Sequence, residues 1–168
     1  MFKFVVPIVA MLVANMPVSV PDVLYDAKLS GVETVLEGYE DLYESNGDMA
    51  GYIYLPNGIE YPVMFTPYNQ NYYADHDFNK AESREGLPFL NRYNVFGGRG
   101  ISLMYGHHLK SGRGFTVLKD YLEDIEGARI QADTLYSEQE YEVVAAALTS
   151  LDEPFNYYEY VGSLNKSE

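Results

Sequence analysis

Hydrophobic and polar positions divide the 168-residue chain into an apolar leader, a stretch of helical period and a longer stretch of period two. Phe4 to Val20 is apolar apart from Pro7, Asn15, Pro17 and Ser19, and Lys3 is the only charge before it. The run is slightly shorter than the roughly 20 residues a bilayer span needs. It reads as a signal peptide or N-terminal anchor over residues 1–21, with a buried first strand or helix as the other reading. Between Pro21-Asp22 and Ala50, Val32, Val35, Leu36, Tyr39, Leu42 and Tyr43 recur at spacings of three and four. Glu33, Glu37, Glu40, Asp41 and Glu44 take the other face, so residues 22–49 hold an amphipathic helix. Gly31 and Gly38 each weaken it by about 1 kcal/mol relative to alanine, so the helix depends on packing against a body. Gly47 is placed for a left-handed cap.

From residue 50 the period changes to two. Tyr52 to Leu55 and Glu60 to Phe65 are short strands around Pro56-Asn57-Gly58, and Asn-Gly is a strong hairpin signal. Pro62 places the second strand at an edge or beside a bulge. Residues 66–86 are polar and tyrosine-rich, a long surface connection. Leu87 to Leu90 is another short strand, and Gly97-Gly98-Arg99-Gly100 a flexible turn. Ile101, Leu103 and Tyr105 form a strand that delivers two histidines to a glycine-rich turn, and Phe115, Leu118, Tyr121 and Leu122 mark a helix over 115–124. Ala128 to Leu135 and Tyr141 to Thr149 read as two more strands, the second apolar enough for the middle of a sheet. Leu151 to Tyr160 is an acidic, aromatic loop leading to a helix. The fold class is therefore mainly β, with one folded body over 50–168.

Composition narrows the partners. With 47% hydrophobic and 15% aromatic residues the chain is globular, and its seventeen tyrosines suit strands and half-buried surfaces. The net charge of −14 and the scattering of its eleven Lys and Arg argue against a nucleic-acid partner. There is no cysteine, hence no disulfide and no thiolate metal site. The acidic helix face reads as a solvated surface. The glycine run at 97–100 is not a phosphate loop, because no Lys-Ser/Thr follows it.

Candidate chemistry centres on His107, an imidazole at the end of a buried strand, where a general acid or base is held rigidly and still meets substrate. An ordinary strand-end histidine bonded to nearby backbone has the same pattern. His108 is adjacent on an extended chain and points to the opposite face, so His107, His108 and His76 do not converge on a metal ion. Tyr105 either lines a groove beside His107 or belongs to the core.

Tyr105-Gly106-His107-His108-Leu109-Lys110, with Gly112, Phe115 and Leu118-Lys119-Asp120-Tyr121, resembles the segment around the catalytic histidine of class B sortases. Gly51-Tyr52-Ile53-Tyr54-Leu55-Pro56, Ile59-Glu60-Tyr61-Pro62-Val63, Asn71-Tyr72-Tyr73 with His76-Asp77-Phe78, and Gly86-Leu87-Pro88-Phe89-Leu90 fall in that family's order. Together these blocks cover about residues 30 to 160. Ala74 stands where the family often has leucine, so no substrate contact is assigned to Tyr72, Tyr73 or Ala74. Asn91 stands where the family commonly has aspartate.

The resemblance implies a sortase-like mixed or antiparallel β-barrel with an N-terminal helix and one helix after the histidine turn. It also implies cysteine transpeptidation that joins surface proteins to the cell wall, with His107 as general acid/base and Tyr105 as a substrate contact. The implied partners are a sorting-signal peptide and a cell-wall peptide amine, at the outer face of a Gram-positive-type membrane or secreted, with no cofactor and no metal. In the family the nucleophilic cysteine and an essential arginine lie on strands beyond the histidine. The chain reaches Glu168 where the loop before the cysteine strand would be under way. An incomplete barrel inactive by itself is therefore expected, with an open edge beside Tyr141 to Thr149 prone to self-association. The other function class is a non-catalytic sortase-like domain that binds peptide or protein at the cell surface.

Overall fold

Asn57 and Gly58 both take positive φ, 63° and 70°, as a tight hairpin turn demands. They join β2 (Met49–Leu55) to β3 (Ile59–Met64) in an antiparallel pair. Around this hairpin the computed structural model, which describes residues 7–12, 34–92, 96–97 and 102–148, builds a seven-stranded sheet. Its other strands are β1 (Pro7–Leu12), β4 (Phe89–Leu90), β5 (Ser102–His107), β6 (Arg129–Thr134) and β7 (Glu140–Glu142). The order is β1-β5-β4-β3-β2-β6-β7, and every pairing is antiparallel except that of β3 with β4. The fold is thus a mostly antiparallel open half-barrel. Pro62 sits inside the sheet, opposite Tyr52, because two-residue β4 meets β3 only at Met64 and leaves proline's side without a ladder neighbour. The bulge is on the partner strand, between Met49 and Gly51.

Alternation along the strands buries two clusters on opposite faces. One contains Ile53, Val63, Leu90, Met104, Ile130 and Ala132 beneath Phe115 and Val117. The other contains Met49, Met64, Phe89, Leu103 and Tyr105 beneath Tyr39 and Tyr73.

Three expected elements are shorter or tighter than their patterns suggest, each for a local reason. The N-terminal helix occupies only Glu40–Ser45 (α1), because Gly38 adopts φ +94° and breaks the helical path before it. Its apolar stripe still packs as expected: Val35, Leu36, Leu42 and Tyr43 lie against the second cluster, and the Leu36 N–H donates to Leu135 O at 2.7 Å. The helix after the histidine turn is a 3₁₀ helix over Phe115–Leu122, and the apolar spacing of Phe115, Leu118 and Tyr121 is the three-residue repeat of that form. The last strand stops at Glu142. The Val143 N–H still reaches Ala128 O, but β6 begins at Arg129, so no partner remains and Val144 and Leu148 lie exposed. β7 is an edge strand, and Glu140 and Glu142 are the kind of charges that blunt an edge.

Within the apolar leader, Pro7–Leu12 is β1, paired with β5. The rest of the leader, the start of the predicted helix to residue 33, Tyr93-Asn94, Gly98-Arg99-Gly100 and the segment from 149 lie outside the described residues. Among the described residues no helix is long and apolar enough to cross a membrane.

A buried polar cluster ties α1 to the long connection. Asn46 Nδ2 donates to the Tyr73 hydroxyl at 2.7 Å, and that hydroxyl donates to Asp48 Oδ2 at 2.9 Å, which also meets Lys80 Nζ at 2.8 Å. Burial raises the Asp48 pKa, but the bonds from Lys80 and Tyr73 outweigh it and leave the carboxyl below its ordinary value. A depressed folded pKa adds stability above the unfolded value and loses it as pH falls through the folded one. Thermal melts should therefore show an acid-side loss below about pH 4, worth less than about 1 kcal/mol because the pair is partly solvated. Lys80→Met should flatten that limb; an unchanged acid limb in the variant would contradict the assignment.

Candidate functional site

β5 carries Leu103, Tyr105 and His107 on one face and Met104 and Gly106 on the other. Gly106 is glycine because the Phe115 ring lies against its backbone: a Cβ there would stand 2.6 Å from ring atoms. The chain then turns through 108–114 and comes back. His108 bridges Gly114, and Gly114 takes φ +65° so close to the strand end that a Cβ would stand 2.4 Å from His107 O. Thr116 Oγ1 accepts from the Leu109 N–H at 2.7 Å and donates to Leu109 O at 2.9 Å, while the Gly114 N–H donates to the Tyr61 hydroxyl at 2.9 Å. The loop that presents His107 is closed at both ends and stitched in its middle. Thr116 and Tyr61 carry no period or motif signal, so only the fold reveals their role.

His107 is partly exposed and lines a narrow recess with Tyr61, Gly86, Pro88, Leu109 and Phe115. Its Nδ1 and that of His108 are buried without a hydrogen-bond partner among the described residues. Packing, rather than a carboxylate partner, therefore orients both rings. Burial, and behind it the positive charge of Lys119, holds the His108 pKa below its ordinary value, so His108 is neutral at pH 7.

Tyr105 is a core residue here. It is 7% exposed, its ring lies 5.2 Å from that of Phe89, and its hydroxyl accepts from Asn91 Nδ2 at 2.8 Å. Asn91, also buried, supplies a neutral donor to a neutral phenol without placing a charge in the core. His76 is apart from the histidine loop. It stacks on Tyr72 with ring centroids 4.0 Å apart, and its Nδ1 faces Tyr72 O at 2.8 Å and Asp75 Oδ1 at 2.7 Å. Among the described residues no three His, Asp or Glu could hold a metal ion together.

A larger hollow of about 260 Å³, lined by Tyr43, Met49, Phe65, Leu90, Phe96 and Leu135, lies toward the other end of the sheet. Leu90 pairs with Met104, near the start of β5, whereas His107 ends that strand. The hollow's one carboxylate, Asp48, is already held by Lys80 and Tyr73. The titratable chemistry is in the smaller recess, and that recess is the candidate site. An imidazole there can pass a proton to or from a bound group. With no cysteine in the chain, thiolate attack has no nucleophile within it.

No family model matches the chain. The chain is 29% identical over 123 residues to sortase B of Staphylococcus aureus, an alignment that covers 70% of this chain and 50% of that protein. Among solved structures, S. aureus sortase B complexed with MTSET superposes with a TM-score of 0.63 at 26% identity, covering 85% of this chain and 64% of that one. An S. aureus sortase B–substrate complex gives 0.61 at 28% identity, covering 80% and 62%. The chain spans about half the length of the curated relative to which it is similar.

Proposed function

We propose, from the premise that this chain is a partial sortase-B-like protein without cysteine, that it supplies the histidine side of a peptide-handling transpeptidase site. His107 would protonate the amine that leaves when a thiolate attacks a peptide carbonyl and deprotonate the amine that resolves the thioester. The thiolate, and a cation to stabilise the oxyanion, would come from residues other than these 168. The chain by itself is inactive as a transpeptidase. The observation that carries this proposal is His107 at the end of β5, held in a closed loop and partly exposed at a recess, within a fold shared with sortase B.

The implied partners are a sorting-signal peptide and a cell-wall peptide amine, and the implied place is the outer face of the membrane, anchored or exported through residues 1–21. The substrate complex of the S. aureus protein supports an extended peptide as the ligand class. Self-association along the outer edge of β7 is part of the proposal, opposed at neutral pH by Glu140 and Glu142.

The test joins the native gene to one mutation. If the reading frame runs past the codon for Glu168 to a cysteine and then an arginine, His107→Ala in the complete protein should lower transpeptidation at least about 10³-fold while leaving its melting temperature unchanged. If the frame stops there and the native protein has the mass of these residues, catalysis is excluded. The non-catalytic reading, a peptide- or protein-binding surface domain, then takes its place.

A further inference from the structure

Seven Lys and Arg lie among the described residues: Lys80, Arg84, Arg92, Lys110, Arg113, Lys119 and Arg129. Lys80 is paired with Asp48, Arg129 with Glu140 and Arg113 with Glu85. Arg84, Arg92, Lys110 and Lys119 are exposed and in no ion pair among the described residues. Three of these four frame the His107 recess. Arg84 immediately precedes the Glu85-Gly86-Leu87-Pro88 wall, Lys110 is on the histidine loop, and Lys119 is on the 3₁₀ helix whose charge reaches His108.

The acids of the same segments are engaged. Arg113 Nη1 lies 3.1 Å from Glu85 Oε2 and closes the two walls on each other, and Asp120 accepts from Asn57 Nδ2 at 3.3 Å. A chain of net charge −14 thus gathers its unpaired described cations at one place, the mouth of the recess that holds its candidate acid/base. The surrounding negative field repels an acidic ligand elsewhere and leaves this mouth as its favoured approach.

We propose that the recess at His107 selects an extended peptide bearing carboxylate side chains, which Arg84, Lys110 and Lys119 receive while the uncharged part of the peptide lies against His107. This selectivity rests on the peptide-handling function proposed above and adds the charge of the ligand. Lys110 and Lys119 act as mobile point charges on flexible stems, and Arg84 offers a planar fork for a bidentate carboxylate.

The experiment uses three fluorescein-labelled pools of short peptides, identical in apolar and neutral polar composition, with added Asp and Glu, added Lys and Arg, or no charged residue. Binding to the chain is followed by anisotropy and by the NMR signals of the His107 imidazole. The acidic pool should bind at least about tenfold more tightly than the neutral one and shift His107, with the advantage shrinking as salt rises to about 0.5 M. Replacing Arg84, Lys110 and Lys119 together by glutamine should remove the advantage, and Arg92→Gln, beyond the far end of β4, should leave it. The salt series on the unaltered chain tests the same point if the triple variant fails to fold. Equal binding of acidic and neutral pools with the same His107 shift would overturn the charge selectivity and leave peptide handling intact. Absence of any His107 shift from all three pools would overturn peptide handling, and this proposal with it.

Discussion

Gly106→Ala is expected to lower the melting temperature by roughly 4–8 °C, equivalent to about 2 kcal/mol, and to move the imidazole signals of His107. The new methyl group would lie 2.6 Å from two Phe115 ring atoms and 2.8 Å from a third, and Phe115 is 1% exposed with no free space behind it. Either the ring leaves the first core cluster or the end of β5 bends away from it. The next residue is His107, and the next turn is pinned by Gly114, Thr116 and Tyr61, so the strain has to appear at the imidazole. Phe115→Leu supplies the control. It removes the ring that collides, at its own packing cost, so the double variant should be more stable than the sum of the two single losses predicts. Strict additivity would show that the ring and the glycine are not the colliding pair.

Asp133→Ala should cost about 3 kcal/mol in urea unfolding at pH 7, the largest loss expected of any polar side chain in the described sheet. Asp133 is 1% exposed, and no cation answers its carboxylate. It is held by donors instead: the Tyr39 hydroxyl at 2.7 Å and Gln131 Nε2 at 2.9 Å on Oδ2, and the Gln139 N–H at 2.9 Å on Oδ1. The Tyr54 hydroxyl joins at 3.0 Å from that of Tyr39. Burial first, then the bonds to Tyr54 and Asp133, pushes the Tyr39 pKa well above its ordinary value, so the phenol stays a donor at any physiological pH. Alanine would leave these donors unsatisfied in a site closed to water. It would also free the segment whose other ties to this part of the sheet are the Leu36 N–H to Leu135 O bond and the stacking of Tyr39 on Tyr52 at 5.6 Å. Asp133→Asn keeps the shape and one acceptor and should lose less. A loss under about 1 kcal/mol for alanine would show that this carboxylate does not anchor the N-terminal segment.

Asp133 also marks the limit of what the pattern could reveal. Within Ala128 to Leu135 it reads as a polar position on the solvent face of a strand, the opposite of where it lies. Tyr39 reads as one more apolar residue of a helix stripe, although its ring is apolar and its hydroxyl is the donor that makes the buried acid tolerable. Neither residue could be assigned without the other, and they are 94 positions apart in the chain. The same holds for the histidine loop. His107 was identifiable from its strand and from the Tyr-Gly-His block, but Tyr61 and Thr116 were not, because their bonds depend on where two distant backbones meet.

The sequence by itself determined the local features: the positive-φ hairpin at Asn57-Gly58, the strand that ends in His107, the apolar stripe from Val35 to Tyr43, and the absence of any thiol. These follow from single residues or from a period, which neighbouring positions carry in full. Only the tertiary structure decided where each element stops and what its polar groups meet. The N-terminal helix was cut to one short turn by the geometry of Gly38, and the last strand ended where β6 ceased to offer a partner. Tyr105, open between groove and core, went to the core because Asn91 waits there for its hydroxyl. The reason is common to all of them: a hydrogen bond or a ladder needs two partners, and the chain's local pattern specifies only one.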